Sequence, residues 1–223
     1  MNPQFKRNLL SLAGLGVFLF LALGSYFSTN TNNSNNNGNI GAKASVETKV
    51  YTNSRSQFKG KLASNFVDFS FNYPGDWKID PKAGTGDSPN FVKVEKTNSD
   101  EITLENFAVG YFTGQKAVMP QLAKQLDKQF SGSFPEYKKV SEGETRLGQY
   151  DGYEFRFTSH SEKSAKGPLE IWGRVVLLPG DTNRKGAAIV MLATSQSEEV
   201  KGPQDVGEKG ELPIVVSSFK FGS

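Results

Sequence analysis

The chain holds one histidine, His160, in Thr158-Ser159-His160-Ser161, and no cysteine. A nucleophilic hydrolase needs its imidazole held by a carboxylate and facing a serine on a rigid elbow, and no G-x-S-x-G segment supplies that elbow. His160 follows an alternating segment and precedes a Lys/Gly-rich stretch up to Gly167, which predicts an exposed hairpin tip. One histidine without cysteine cannot build a four-ligand zinc cage unless carboxylates complete it. The acidic pairs Asp100-Glu101, Glu142 with Glu144, and Glu198-Glu199 lie far apart and lack the D-x-D-x-D-G spacing of a calcium loop, which leaves open only a site assembled from separate segments. Gly84-Thr85-Gly86 carries two glycines of a nucleotide fingerprint, but Asp87-Ser88-Pro89 follows where a helix should open. The expectation is therefore no catalytic residue, no metal ligand and no cofactor, so not an enzyme. Trp77 and Trp172 are the candidate ligand or partner contacts, because an indole brings large contact area and a polar handle; packing into the core is the competing reading of each.

Location is easier to read than chemistry. Residues 8–42 carry no charged side chain, and the nineteen residues from Leu9 to Phe27 are apolar. As a helix they would cover roughly the 30 Å hydrocarbon core of a bilayer. Two readings stay open: a retained transmembrane anchor, and a signal peptide cleaved after Ala22-Leu23-Gly24, before Ser25. Lys6 and Arg7 precede the segment and the next basic residue is Lys43, so the positive-inside rule keeps the N-terminus cytoplasmic and sends the body to the extracytoplasmic, periplasmic or lumenal, side. Without cysteine there is no lipid anchor on an N-terminal thiol. Seven asparagines between Ser28 and Asn39, mixed with Ser, Thr and Gly, predict a disordered, flexible tether. The domain reading is 1–27 anchor or signal peptide, 28–56 linker and 57–223 folded body. The formal charge of +3 falls to +1 without Lys6 and Arg7, and the remaining basic residues alternate with acids. Nucleic acid is not expected as a partner.

In the body, Val67, Phe69, Phe71 and Tyr73 alternate with polar residues until Pro74-Gly75-Asp76, and Trp77 and Ile79 restart the alternation. Phe91 to Val94 and Glu105 to Thr113, the latter with Phe107, Val109 and Tyr111 on one side, complete an expected antiparallel meander. Val118, Leu122, Leu126 and Phe130 then recur every four residues, which predicts one amphipathic helix with Pro120 in its first turn and Gly132 at its stop. Strands resume at Tyr137 to Leu147 and at Tyr153 to Phe157, with Asp151-Gly152 as a turn or bulge. The near-continuous apolar runs Leu169 to Leu178 and Ala187 to Thr194 suit central strands covered on both faces. A short helix from Leu212 to Ser218 and an edge strand with Phe219 and Phe221 close the chain. The fold class is α+β, a mainly antiparallel sheet of six to eight strands flanked by helices, preceded by the N-terminal membrane helix.

The opening Phe69-Ser70-Phe71-Asn72-Tyr73-Pro74-Gly75-Asp76-Trp77, the mid-chain helix and the closing Ser217-Ser218-Phe219-Lys220-Phe221 resemble the PsbP family, the extrinsic photosystem II subunits and their wider relatives. The resemblance covers roughly residues 65–221 and implies an α/β/α sandwich acting as a non-catalytic accessory or assembly module on a membrane complex. The Asn-rich tether departs from it, standing where the soluble photosystem subunits have a segment that engages the complex. Two functions follow as expectations. The first is a membrane-anchored extracytoplasmic domain that binds, and assists the assembly or stability of, a membrane-protein complex such as a photosynthetic one. The alternative is an envelope protein binding a small molecule or lipid in an aromatic cleft near Trp77 and the 82–90 loop, with a hydrolase third.

Overall fold

The structure, a computed structural model, describes residues 46–86, 88–164, 167–180 and 185–222. The apolar segment from Leu9 to Phe27 and the Asn-rich stretch after it lie outside the described residues. Among the described residues no helix is long and apolar enough to cross a membrane.

The body is α+β and built on two antiparallel sheets. The larger has the order β3-β4-β5-β9-β8-β7-β6, formed by Lys78–Ile79 (β3), Asn90–Thr97 (β4), Thr103–Thr113 (β5), Lys138–Leu147 (β6), Tyr150–Ser164 (β7), Gly167–Leu178 (β8) and Lys185–Thr194 (β9). Helix α2, Met119–Ser131, carries the chain from β5 to the far edge, from which β6 to β9 return strand by strand until β9 closes on β5. The smaller sheet, β1-β2-β10, joins Thr48–Thr52 (β1), Phe69–Pro74 (β2) and Lys220–Phe221 (β10), so that the two ends of the body meet on one strand.

Strand period 2 gives the larger sheet two buried faces. On one, Ile171, Val175 and Leu177 of β8 join Phe155 and Phe157 of β7 beneath α2, whose Met119, Leu122, Leu126 and Phe130 are buried. The Phe130 ring meets Phe157 edge-on at 5.3 Å and stacks on Phe134 at 5.5 Å. Pro120 occupies the first turn of α2 and Gly132 is its C-cap, as the sequence predicts. On the other face, Val176 and Leu178 with Ile189, Met191 and Phe107 meet the smaller sheet and the short helices α1, Gly60–Ser64, and α3, Leu212–Ser218. Phe71 of β2 lies 5.1 Å from Phe107, edge to face.

Several expectations change. Phe69 to Tyr73 does not join the meander with Trp77 and Ile79 but pairs with β1 and β10, because Phe69 and Phe71 are buried against the larger sheet from above. The second face of the expected α/β/α sandwich is accordingly covered chiefly by a β-layer. The segment 28–56 read as linker is structured at its end, where β1 pairs with β2 in the register Tyr51↔Phe71; alternation there is hidden because only Tyr51 is drawn toward the core. The chain turns at Gly148, in the left-handed region at φ 57°, and not at Asp151-Gly152, which lies within β7. Ile79 is 44% exposed while Trp77 is buried, since β3 is only two residues long.

Candidate functional site

The face of the larger sheet that meets β1-β2-β10 is apolar at its centre and charged where segment 195–212 crosses it. Backbone register places these charges. Lys96 on β4 is opposite Glu105 on β5, which pairs with Ala193 on β9, which pairs with Trp172 on β8. The next inward row contains Phe107, Met191, Arg174 and Arg156. All share one face by parity.

Glu105 is 3% exposed and sits under the start of α3. Its Oε2 accepts the main-chain N–H groups of Glu211 and Leu212, both at 3.1 Å, and its Oε1 accepts the Ser197 hydroxyl at 3.3 Å. Burial pushes its pKa up; the Glu211 and Leu212 N–H groups, the nearby Lys96 charge and the Ser197 bond oppose that shift without cancelling it. Gly210 is required here, because a Cβ at that position would lie 2.3 Å from Glu105 Oε1 and its φ is +74°. Lys96 Nζ donates to Glu211 Oε1 at 2.7 Å, and the Trp77 indole N–H donates to Glu211 Oε2 at 2.6 Å. Burial alone would lower the Lys96 pKa, but its bond and charge pairing with Glu211 hold it above the ordinary lysine value.

A second cluster stands on β7 and β8. Glu154 accepts from Arg156 Nε and Arg174 Nε, each at 2.8 Å, and from the Thr145 hydroxyl at 2.8 Å. Its burial works against ionisation, yet the Arg174 charge and the Arg156 bond outweigh it and hold the carboxyl below its usual range. Arg156 Nη1 donates to the carbonyls of Pro203 at 2.7 Å and of Gln204 and Val206 at 3.3 Å, which ties the 201–210 loop to the sheet. Arg174 Nη1 donates to Glu208 Oε1 at 2.8 Å.

The sequence candidates are dispersed. Trp77 is 2% exposed, with its polar handle bound to Glu211. Trp172 is partly buried against the same core. Strands β4, β5 and β9 separate β3 from β8, so the two indoles serve different parts of that core and do not line a common cleft. His160 is not in a hairpin tip but within β7, directly opposite Glu170 of β8. Its Nδ1 lies 2.5 Å from Glu170 Oε1 and its Nε2 3.0 Å from Glu162 Oε1. Each ring nitrogen thus lies within hydrogen-bond reach of a carboxylate, and the Glu170 bond followed by the Glu162 bond raises the ring's pKa. A triad imidazole keeps one nitrogen for the serine, whereas here each nitrogen has a carboxylate beside it.

Of the acidic pairs, Asp100-Glu101 lies in the β4–β5 turn, Glu142 bonds Lys139 and Tyr153, and Glu198-Glu199 follows β9. Among the described residues no group of three or more His, Cys, Asp or Glu side chains could hold a metal ion. Gly84 donates its N–H to Asn90 O and closes the 82–90 loop on itself, and Asp87 lies outside the described residues.

The polar residues of this charged band that sequence reasoning passed over are Lys96, Glu105, Glu154, Arg156, Arg174 and Glu211. A signal was present for Glu105, which has the same strand parity as Phe107 and Val109.

No family model matches the chain, and no curated protein matches it. Solved structures give distant structural similarity. LpqN of Mycobacterium tuberculosis, described as involved in cell envelope biogenesis, is 8% identical, with 79% of this chain and 92% of that one covered at a TM-score of 0.47. Cyanobacterial PsbP from Synechocystis is 14% identical, with 83% of this chain and 98% of that one covered at 0.45. A protein of Bacteroides thetaiotaomicron is 15% identical over 70% of this chain at 0.40, and the chain spans 45% of its length.

Proposed function

We propose that this chain is a non-catalytic, membrane-moored binding or accessory domain on the extracytoplasmic side that assists the assembly or stability of a membrane complex. The observation that carries this reading is the use to which the body puts its inward-facing charges. Glu105, Arg156 and Arg174 hold the 195–212 segment on the sheet, Glu154 fixes the two arginines, and both ring nitrogens of His160 are paired with carboxylates. Groups engaged in this way supply rigidity and shape; a general base must keep a free lone pair within reach of a substrate proton. Mooring rests on Lys6 and Arg7 ahead of the apolar residues 9–27. A photosynthetic complex is the instance that the PsbP resemblance implies. The small-molecule alternative would draw on an aromatic cleft at Trp77, and the burial of that indole with its N–H on Glu211 speaks against it.

Cell fractionation with protease protection, and native gels of solubilised membranes from a strain lacking the chain, test the proposal. The body is expected on the extracytoplasmic side, and a membrane complex is expected to decline on deletion and recover with either the native chain or His160→Ala. Finding the intact chain free in the cytosol, or a folded His160→Ala chain that fails to restore the complex, would overturn it.

A further inference from the structure

Arg156 and Arg174 are direct cross-strand partners on β7 and β8, a placement in which like charges repel and need anions to hold them. One of those anions is Glu154, its side chain 14% exposed, which takes the Nε of both arginines. The other is Glu208, on the 201–210 loop, with its side chain 59% exposed against 7% and 3% for the two arginines. Both guanidinium heads are fixed without it. Arg156 is pinned by Glu154 and three carbonyls, and Arg174 by Glu154 and, at 3.4 Å, the Thr145 hydroxyl. The remaining ends, Arg174 Nη1 and Arg156 Nη2, both face Glu208 Oε1, at 2.8 and 3.9 Å.

We propose that these two arginines form a binding site for a small oxyanion, a carboxylate or a phosphate, and that Glu208 is the tethered carboxylate that fills it in the absence of ligand. Two guanidinium groups and one half-buried carboxylate leave a single positive charge that a second anion must balance. The anion in place is a side chain in contact with water, and exposed ion pairs are weak. An incoming carboxylate or phosphate meets donors already fixed in position, so little reorganisation opposes binding, and guanidinium groups suit both anions geometrically. Glu208 competes as a tethered ligand at an effective concentration in about the millimolar range. Because that ion pair must open first, removing Glu208 should strengthen binding of a free oxyanion by about two- to sixfold. The site goes beyond the moored-module reading and stands independently of it.

The test is a titration of the full chain in detergent micelles with inorganic phosphate and, separately, succinate, against sodium chloride at equal ionic strength. The readouts are the Arg156 and Arg174 Nε–Hε NMR signals and the thermal midpoint. The native chain should respond saturably to at least one oxyanion, the stronger of the two identifying the ligand class, and Glu208→Ala should lower the apparent Kd by about two- to sixfold. Glu208→Gln keeps the side-chain volume and gives the same comparison if the alanine variant folds poorly. A native chain with no saturable response to either oxyanion would overturn the proposal, even if a Glu208 variant responds. So would Glu208 variants that respond to both oxyanions no more than to chloride.

Discussion

Removing the Glu105 carboxylate tests whether the charged band holds the C-terminal segment on the sheet. In Glu105→Ala the N–H groups of Glu211 and Leu212 and the Ser197 hydroxyl lose their acceptor, a carboxylate on a residue only 3% exposed. Each buried donor left without a partner costs about 1–3 kcal/mol, and water entering the vacated space recovers part of that, so the total should be about 3–5 kcal/mol. Glu105→Gln keeps an acceptor oxygen for the two N–H groups, and its amide can donate to the Ser197 oxygen; it should cost less than about 1 kcal/mol. The pH dependence adds an independent check. Because burial raises the Glu105 pKa, the native state takes up its proton more readily than the unfolded chain does. Its contribution to stability is therefore fully present below the unfolded carboxylate value and declines as pH rises through the folded one. Glu105→Gln should remove that decline. Chemical denaturation followed by tryptophan fluorescence, from acid to neutral pH, measures all three. A Glu105→Ala cost below about 1 kcal/mol, or equal costs for Ala and Gln, would refute the reasoning.

Gly173→Ala would place a Cβ 2.1 Å from the Phe157 ring in the middle of the sheet; it should destabilise by about 3 kcal/mol, read as a fall in thermal midpoint. Trp77→Phe keeps the aromatic packing but removes the donor to Glu211, and a loss of about 1–2 kcal/mol in denaturant titration is expected. His160 should titrate by NMR above its ordinary 6.5, since both neighbouring carboxylates favour the charged ring. The sign follows from the raised pKa: its contribution is present below the unfolded value and fades as pH rises through the folded one. A midpoint at or below 6.5 would show that the carboxylates do not clamp the ring.

Much of the architecture is written in local periodicity. Helix α2 could be placed to within a residue because Val118, Leu122, Leu126 and Phe130 recur on one helical stripe between Pro120 and Gly132. Strands β8 and β9 were legible as central because both of their faces are apolar. Chain order misled at Phe69 to Tyr73, whose alternation is the same whether its partner is the next strand or the two ends of the body. It misled again at β1, where one inward residue, Tyr51, is too few to mark a period.

The candidate site was far less legible. A charge in a strand reads as solvated surface unless something covers it, and what covers Glu105, Arg156 and Arg174 is the 195–212 segment, remote in sequence from β5 and close to it only after folding. For His160, residue type and position could not reveal that Glu170 is its partner across β7 and β8. Sequence alone determined the apolar character of residues 9–27, the α+β class and the principal elements, because each depends on the order of neighbouring side chains. Tertiary structure alone decided which charges became buried and paired, because desolvation and ion pairing depend on distances between segments that local patterning does not specify.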